Sequence, residues 1–217
     1  KLNLFLHITG RREDGYHLIQ SVFMLVDWCD TLHFERRLDG VVSREDLASP
    51  LPAVDLTVQA ARALQIATGC TQGVHIGLLK SIPAQAGMGG GSSDAATVLL
   101  ALNRLWGLQL PLSVLEKIGL QLGADIPFFL RGQNAWVQGI GETIVPLEKE
   151  HQLPQARFAI VKPAAGLETK TIFSSPSLKR DSDSATILGF AAAHFDFGRN
   201  DLQPVAQFLF FDVTEAI

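Results

Sequence analysis

Four glycines in five residues, followed at once by two serines, form the stretch of this chain best suited to chemistry. The run is Pro83-Ala84-Gln85-Ala86-Gly87-Met88-Gly89-Gly90-Gly91-Ser92-Ser93-Asp94. Without Cβ atoms the backbone can approach an anion closely and adopt positive φ. Ser92 or Ser93 is a favoured helix N-cap, and a helix starting there aims unpaired N–H groups and its positive dipole end at the loop. With the hydroxyl donors added, this is an anion site, and a triphosphate is the guest that suits it. The bland alternative is a flexible glycine linker before a well-capped helix. A Walker loop needs a Lys after its last glycine, and none follows Gly91. The dinucleotide fingerprint needs a glycine where Ser92 stands.

Phosphoryl transfer also asks for a base and for a cation over the developing charge. Asp125 follows the helix-ending Gly123 among small or rigid neighbours (Gly123, Ala124, Pro127), which leaves room for a ligand. An isolated Asp in such a setting can equally cap a turn. Lys1 and Asn3 stand two apart and so share one face of the first strand, where a solvated strand end is the plain alternative for Lys1. Tyr16 and His17 sit at a loop-to-strand boundary and offer what a pyrimidine needs, a flat apolar face and edge hydrogen bonds. A core tyrosine is the competing reading. The remaining histidines (His7, His33, His75, His151, His194) lack metal-ligand spacing, and Arg11-Arg12 and Lys179-Arg180 read as short solvated pairs.

These residues need elements to hold them. Residues 1–8 alternate, with Leu2, Leu4, Leu6 and Ile8 on one face and Lys1, Asn3, Phe5 and His7 on the other, a strand pattern. Residues 19–28 and 31–35 are rich in strand formers, and 39–52 reads as loop. Leu56 to Ala67 has helical spacing and stops at Gly69. Val74, Ile76 and Leu78 alternate into Pro83. Val98, Leu99, Leu102, Leu105 and Trp106 mark an amphipathic helix after the glycine loop. Ser113 with Glu116 predicts a capping box for the next helix. Residues 126–130 and 135–137 read as strands before a Gly139-Ile140-Gly141 turn, and 157–161 as the start of a second sheet. Strands and helices mixed without regular alternation favour an α+β fold.

Composition narrows the classes. The 217 residues carry a net charge of −4 with no basic run, against a nucleic-acid binder. Cys29 and Cys70 form no CxxC pair, which suits a reduced, cytoplasmic protein. No stretch approaches the roughly 20 apolar residues of a membrane span. The chain opens without Met inside a strand pattern and stops inside an apolar segment, so it reads as part of a longer one.

The glycine loop resembles the one that names the GHMP kinase superfamily, with its Pro-x-x-x-Gly-Leu/Met-Gly/Ser-Ser-Ser pattern. Four stretches in order are similar to one branch of it: Lys1-Leu2-Asn3-Leu4-Phe5-Leu6, Asp14-Gly15-Tyr16-His17, Gly89-Gly90-Gly91-Ser92-Ser93-Asp94-Ala95-Ala96 and Leu122-Gly123-Ala124-Asp125-Ile126-Pro127-Phe128. Members of that branch use ATP to phosphorylate the 2-hydroxyl of a cytidine-diphosphate-linked methylerythritol. The resemblance implies a two-domain α+β fold, with a ribosomal protein S5 domain 2-like N-terminal domain over 1–147 and an incomplete ferredoxin-like C-terminal domain over 148–217. It implies Asp125 as base, Lys1 as its partner over the alkoxide, Asn3 orienting substrate and residues 83–94 binding ATP with Mg²⁺. It further implies a cytosine held by Tyr16 and His17, closed over by Phe173 from the Thr169–Phe173 segment. That segment departs from the branch's small, β-branched run. Asp55 stands where Asn is usual near adenine. The expected partner is the small-molecule substrate alone, in a monomer or weak homodimer. Rival readings are a kinase for homoserine, mevalonate or a sugar, whose members lack the Asp-Gly-Tyr-His motif, and a nucleotide-binding module without catalysis.

Overall fold

The computed structural model describes residues 1–53, 55–163 and 169–216. Its contacts divide the chain into two compact units, one of residues 1–25, 85–88 and 133–217, the other of 26–84 and 89–132. Helix and strand are mixed throughout, as the α+β expectation has it.

The first unit is built on an antiparallel sheet of β1 (Leu2–Arg11), β2 (His17–Met24), β6 (Ala135–Gly139) and β7 (Thr143–Pro146), in the order β1-β2-β6-β7. The alternation read for β1 is interrupted. Its register against β2 shifts between Asn3 and Leu6, so Phe5 and Leu6 are both buried. A bulge opposes two residues to one and re-aims those that follow. Phe5 thus joins Val22, Trp136 and Phe190 in one cluster, while Leu6 and Ile8 pack with Ile172, Leu178 and Val205 in another. Phe5 therefore does not belong to a polar face. The free edge of β1 is covered by a distant segment: Leu6 N–H donates to Arg199 O, Asp201 N–H to Leu6 O, and Ile8 N–H to the Asp201 carboxylate at 2.8 Å. Helices α5 (Thr169–Ser174), α6 (Ile187–Ala193), α7 (Gln203–Leu209) and α8 (Phe211–Ala216) complete this unit. Residues 157–161 are not a strand. A strand exists only with a ladder partner, and none pairs with this stretch among the described residues.

The second unit centres on β5 (Gly73–Leu79), antiparallel to β3 (Thr31–Arg37) and parallel to β4 (Val42–Asp46). β4 falls where the sequence suggested a loop. Its Ser43-Arg44-Glu45-Asp46 hides any apolar period, and the backbone ladder with ion pairs from Arg44 to Asp46 and Asp55 defines it instead. Helices α1 (Leu56–Thr68), α2 (Gly90–Leu105), α3 (Leu112–Leu122) and α4 (Ile126–Arg131) bury their apolar faces in one core with Val74 and Ile76.

Two expectations fail here for local reasons. Residues 126–130 form α4, not a strand. A short run of apolar residues carries no readable period, and Pro127 in the first turn presets a helical φ. The Ser113–Glu116 box does not form, because α3 already begins at Leu112 behind Pro111; Glu116 pairs with Arg131 at 2.6 Å instead.

Candidate active site

The glycine loop links the end of β5 to α2. Gln85, Gly87 and Gly89 have φ of 55°, 69° and 72°. Helix α2 begins at Gly90, with Gly89 as N-cap and no side-chain capping bond. Neither Ser92 nor Ser93 is the cap; both lie in the first turn. A serine cap would occupy one of the first N–H groups, whereas a glycine cap leaves them without an intrahelical partner. Bare donors at a helix start attract anions. Ser92 and Ser93 are half-buried there. Met88 is buried, while Ala84, Gln85 and Gly87 are exposed.

Gly89 must be glycine for two reasons. Its φ is left-handed, and a Cβ would lie 3.0 Å from the Phe129 ring and 3.4 Å from Oδ2 of Asp125. The same distances place the Asp125 carboxylate beside the entrance of α2. Asp125 sits at the start of α4, half-buried, and makes no capping bond to that helix. Gly123 lies close to the hydroxyl of Ser92, at 3.8 Å from a Cβ built there. Asp125, Gly89, Ser92 and Gly123 are thus neighbours within the second unit.

Behind the loop lies a charge cluster that sequence reasoning missed. Lys80 Nζ donates to Asp94 at 2.8 Å and also pairs with Asp30, which further accepts the N–H groups of Ser81 and Ile82 at 2.6 and 2.8 Å. Burial pushes the Asp94 carboxyl up to about 6, against the pull of Lys80 and with Asp30 adding to the rise. For Asp30 burial also acts upward, but Lys80 and the two N–H donors prevail and hold its pKa below the usual value. Asp94 therefore faces Lys80, and its side chain is only 4% exposed. The available signal was Lys80 itself, a cation at the end of a strand that feeds a glycine loop.

In the first unit, Lys1 is 8% exposed, so it is no solvated strand end. Its Nζ donates to Asn3 Oδ1 at 2.6 Å and lies 4.2 Å from the centre of the Phe23 ring, a cation–π distance. Asn3 in turn donates to Ser21 Oγ at 3.2 Å. Both residues are held in one arrangement by these contacts.

His17 and Phe173 also meet, with ring centres 5.0 Å apart. Arg180, read above as half of a solvated pair, is half-buried and donates from Nε to His17 Nε2 at 3.0 Å. Burial first, then the cations Arg180 and Arg11, lower the His17 pKa. Tyr16 is 61% exposed, not a core residue. The run before Phe173 (residues 164–168) lies outside the described residues. Asp55 caps α1 through Val58 N–H and pairs with Arg44 at 2.6 Å. No group of three or more His, Cys, Asp or Glu suited to a metal occurs among the described residues.

A strand, a glycine loop with a left-handed cap, and a helix with no side-chain cap follow one another here, and residues 55–133 match the family described as GHMP kinases N terminal domain. The chain is 74% identical over its whole length to the 4-diphosphocytidyl-2-C-methyl-D-erythritol kinase of Paracidovorax citrulli (strain AAC00-1), covering 76% of that protein. It is 71% identical to the kinase of the same name in Verminephrobacter eiseniae (strain EF01-2), covering 75% of it. A crystal structure of 4-(cytidine 5'-diphospho)-2C-methyl-D-erythritol kinase aligns with 99% of this chain and 78% of its own at a TM-score of 0.79 and 32% identity. The homoserine kinase of Cytophaga hutchinsonii shares the fold, at a TM-score of 0.62 over 91% of this chain and 70% of its own, with 14% identity. The chain belongs to the 4-diphosphocytidyl-2-C-methyl-D-erythritol kinase family of GHMP kinases.

Proposed function

We propose that this chain transfers the γ-phosphoryl group of ATP to the 2-hydroxyl of 4-diphosphocytidyl-2-C-methyl-D-erythritol, giving the 2-phosphate and ADP, a step of the non-mevalonate route to isoprenoid precursors. The observation that carries the reading is the uncapped start of α2 behind Gly89, with the Asp125 carboxylate against that glycine. Backbone N–H groups and the hydroxyls of Ser92 and Ser93 hold the phosphate tail. Asp125 accepts the proton of the substrate hydroxyl as its oxygen forms the new bond to phosphorus. The bond from phosphorus to the bridging oxygen breaks, and ADP leaves with those electrons. Lys1 stabilises the alkoxide, and Asn3 fixes the orientation of Lys1 and of the substrate.

Magnesium fits this site in one way. The one carboxylate in the opening turns of α2 belongs to Asp94, which is engaged by Lys80. Mg²⁺ keeps several waters and accepts phosphate oxygens readily. It would be held by the nucleotide and water, with the Ser92 and Ser93 hydroxyls as the protein's oxygen donors. There it would neutralise charge on the transferring group. Tyr16, His17 and Phe173 hold the cytosine. Along the chain, 1–147 is the nucleotide-binding and catalytic part, and substrate binding extends into 148–217.

No described helix is long and apolar enough to cross a membrane, and reaction in the cytoplasm is consistent with the free thiols of Cys29 and Cys70. The test is ADP release with the cytidyl substrate. Asp125→Asn should lower turnover by about 100-fold or more while ATP affinity persists. Near-normal turnover in that variant removes Asp125 as base.

A further inference from the structure

Arg180 binds four acceptors at once. Its Nε donates to His17 Nε2 at 3.0 Å, Nη1 to Leu178 O at 2.9 Å, and Nη2 to Phe173 O and Ser175 O at 3.3 and 2.7 Å. A guanidinium has five donors, no acceptor and a permanent charge. A ring nitrogen that accepts from it cannot carry a proton. Neutral imidazole has one donor and one acceptor nitrogen, so the partner of one decides the state of the other. We infer that Arg180 fixes His17 as the tautomer protonated on Nδ1, and thereby makes the base pocket select a pyrimidine whose N3 accepts a hydrogen bond, cytosine, over uracil, whose N3 donates one. The inference rests on reading His17 as a base-binding residue and adds the residue that sets its polarity.

Without a donor-only neighbour, His17 could exchange tautomers and present a lone pair to the N–H of uracil. With Arg180 in place, uracil would bring a donor against a donor, and unmatched polar groups at a recognition edge are what a binding site rejects. The charges acting on His17 favour the same state. Arg11 stands opposite it across the β1–β2 ladder, and Arg180 approaches from the segment after α5, which itself contributes the Phe173 ring. Both charges are positive, so the doubly protonated ring, which would donate from both nitrogens, is disfavoured, in keeping with the lowered pKa. The same guanidinium ties the backbone of Phe173 and Ser175 to the histidine, so one residue sets both the polarity of the edge and the position of the ring beside it.

The experiment measures the tautomer directly and the selectivity separately, in the full-length protein. Ring-¹⁵N-labelled histidine, with His17 assigned by His17→Asn, should show Nδ1 protonated and Nε2 bare at pH 7.5. Arg180→Gln offers both a donor and an acceptor and should give a tautomer mixture; Arg180→Lys remains donor-only and should keep the original state. With the cytidyl substrate and its uridyl analogue, the native enzyme should favour the former in kcat/KM by about 10- to 100-fold. Arg180→Gln should shrink that ratio to near unity and bring in a pH dependence between about 5 and 7, while Arg180→Lys preserves the preference. Protonated Nε2 in the native protein, or an undiminished ratio in a folded Arg180→Gln, overturns the inference. Equal native activity on cytidyl, uridyl and base-free substrates instead overturns the base-pocket reading beneath it. Should Arg180→Gln not fold, the native tautomer and the Arg180→Lys ratio still decide.

Discussion

Asp94→Asn isolates the electrostatics of the loop's underside. One ammonium, Lys80, serves two buried carboxylates. Asp30 has two backbone donors besides and keeps the charge. Asp94, buried and repelled by Asp30, has its pKa raised from 3.8 to about 6. About two pKa units at about 1.4 kcal/mol each come to about 3 kcal/mol. The sign follows from proton linkage. A carboxyl that binds its proton more tightly when folded adds stability that is complete below its unfolded pKa and lost as pH rises through its folded one. For Asp94 the loss runs from about pH 4 to just above pH 6. Asparagine keeps an oxygen for Lys80 but cannot titrate. Between pH 4 and 7.5 the stability of Asp94→Asn relative to the native protein should therefore rise by about 3 kcal/mol. Urea unfolding at several pH values, compared at equal m, reads that difference with all other titrating groups cancelled. A difference that stays flat, or falls, over this range refutes the assignment of the buried proton to Asp94.

Gly89→Ala should lose about 1–2 kcal/mol to its left-handed φ and cut kcat by more than about tenfold by displacing Asp125 and Phe129. Gly69→Ala has a similar φ but open space around its Cβ, so it should lose about 1 kcal/mol with turnover unchanged; thermal unfolding beside steady-state kinetics compares them. Asp55→Ala removes the α1 cap and one of the two carboxylates on Arg44, and should cost about 2–3 kcal/mol in urea. Asp55→Asn keeps the cap and should recover about 1 kcal/mol of that.

The backbone of the glycine loop was legible because glycine spacing states a requirement that no partner can alter. The amphipathic period of α2 was legible for the same reason, since Val98, Leu99 and Leu102 bury one face. The Ser92–Ser93 cap was misplaced because propensity favours a serine cap, while Phe129 and Asp125, 40 and 36 residues beyond Gly89, impose a glycine there. β4 was hidden because the ladder to β5 and the ion pairs of Arg44 hold it, and neither leaves an apolar period in the sequence. Lys80, Asp30 and Arg180 are ordinary charges in sequence. Their meaning comes from partners 50 and 163 residues away, as Lys80 finds Asp30 and Arg180 finds His17.

The clasp on β1 bears on how the chain matures. Ile8 and Asp201 are separated by 193 positions, so all of that intervening chain must leave the ribosome before the strand can be sealed. Contacts so distant in sequence form late, and an open strand edge is a template for other chains. The nascent protein thus passes through an interval in which β1 is exposed to aggregation, and Asp201→Ala should prolong that interval, raising the insoluble fraction on expression without touching the chemistry of the glycine loop.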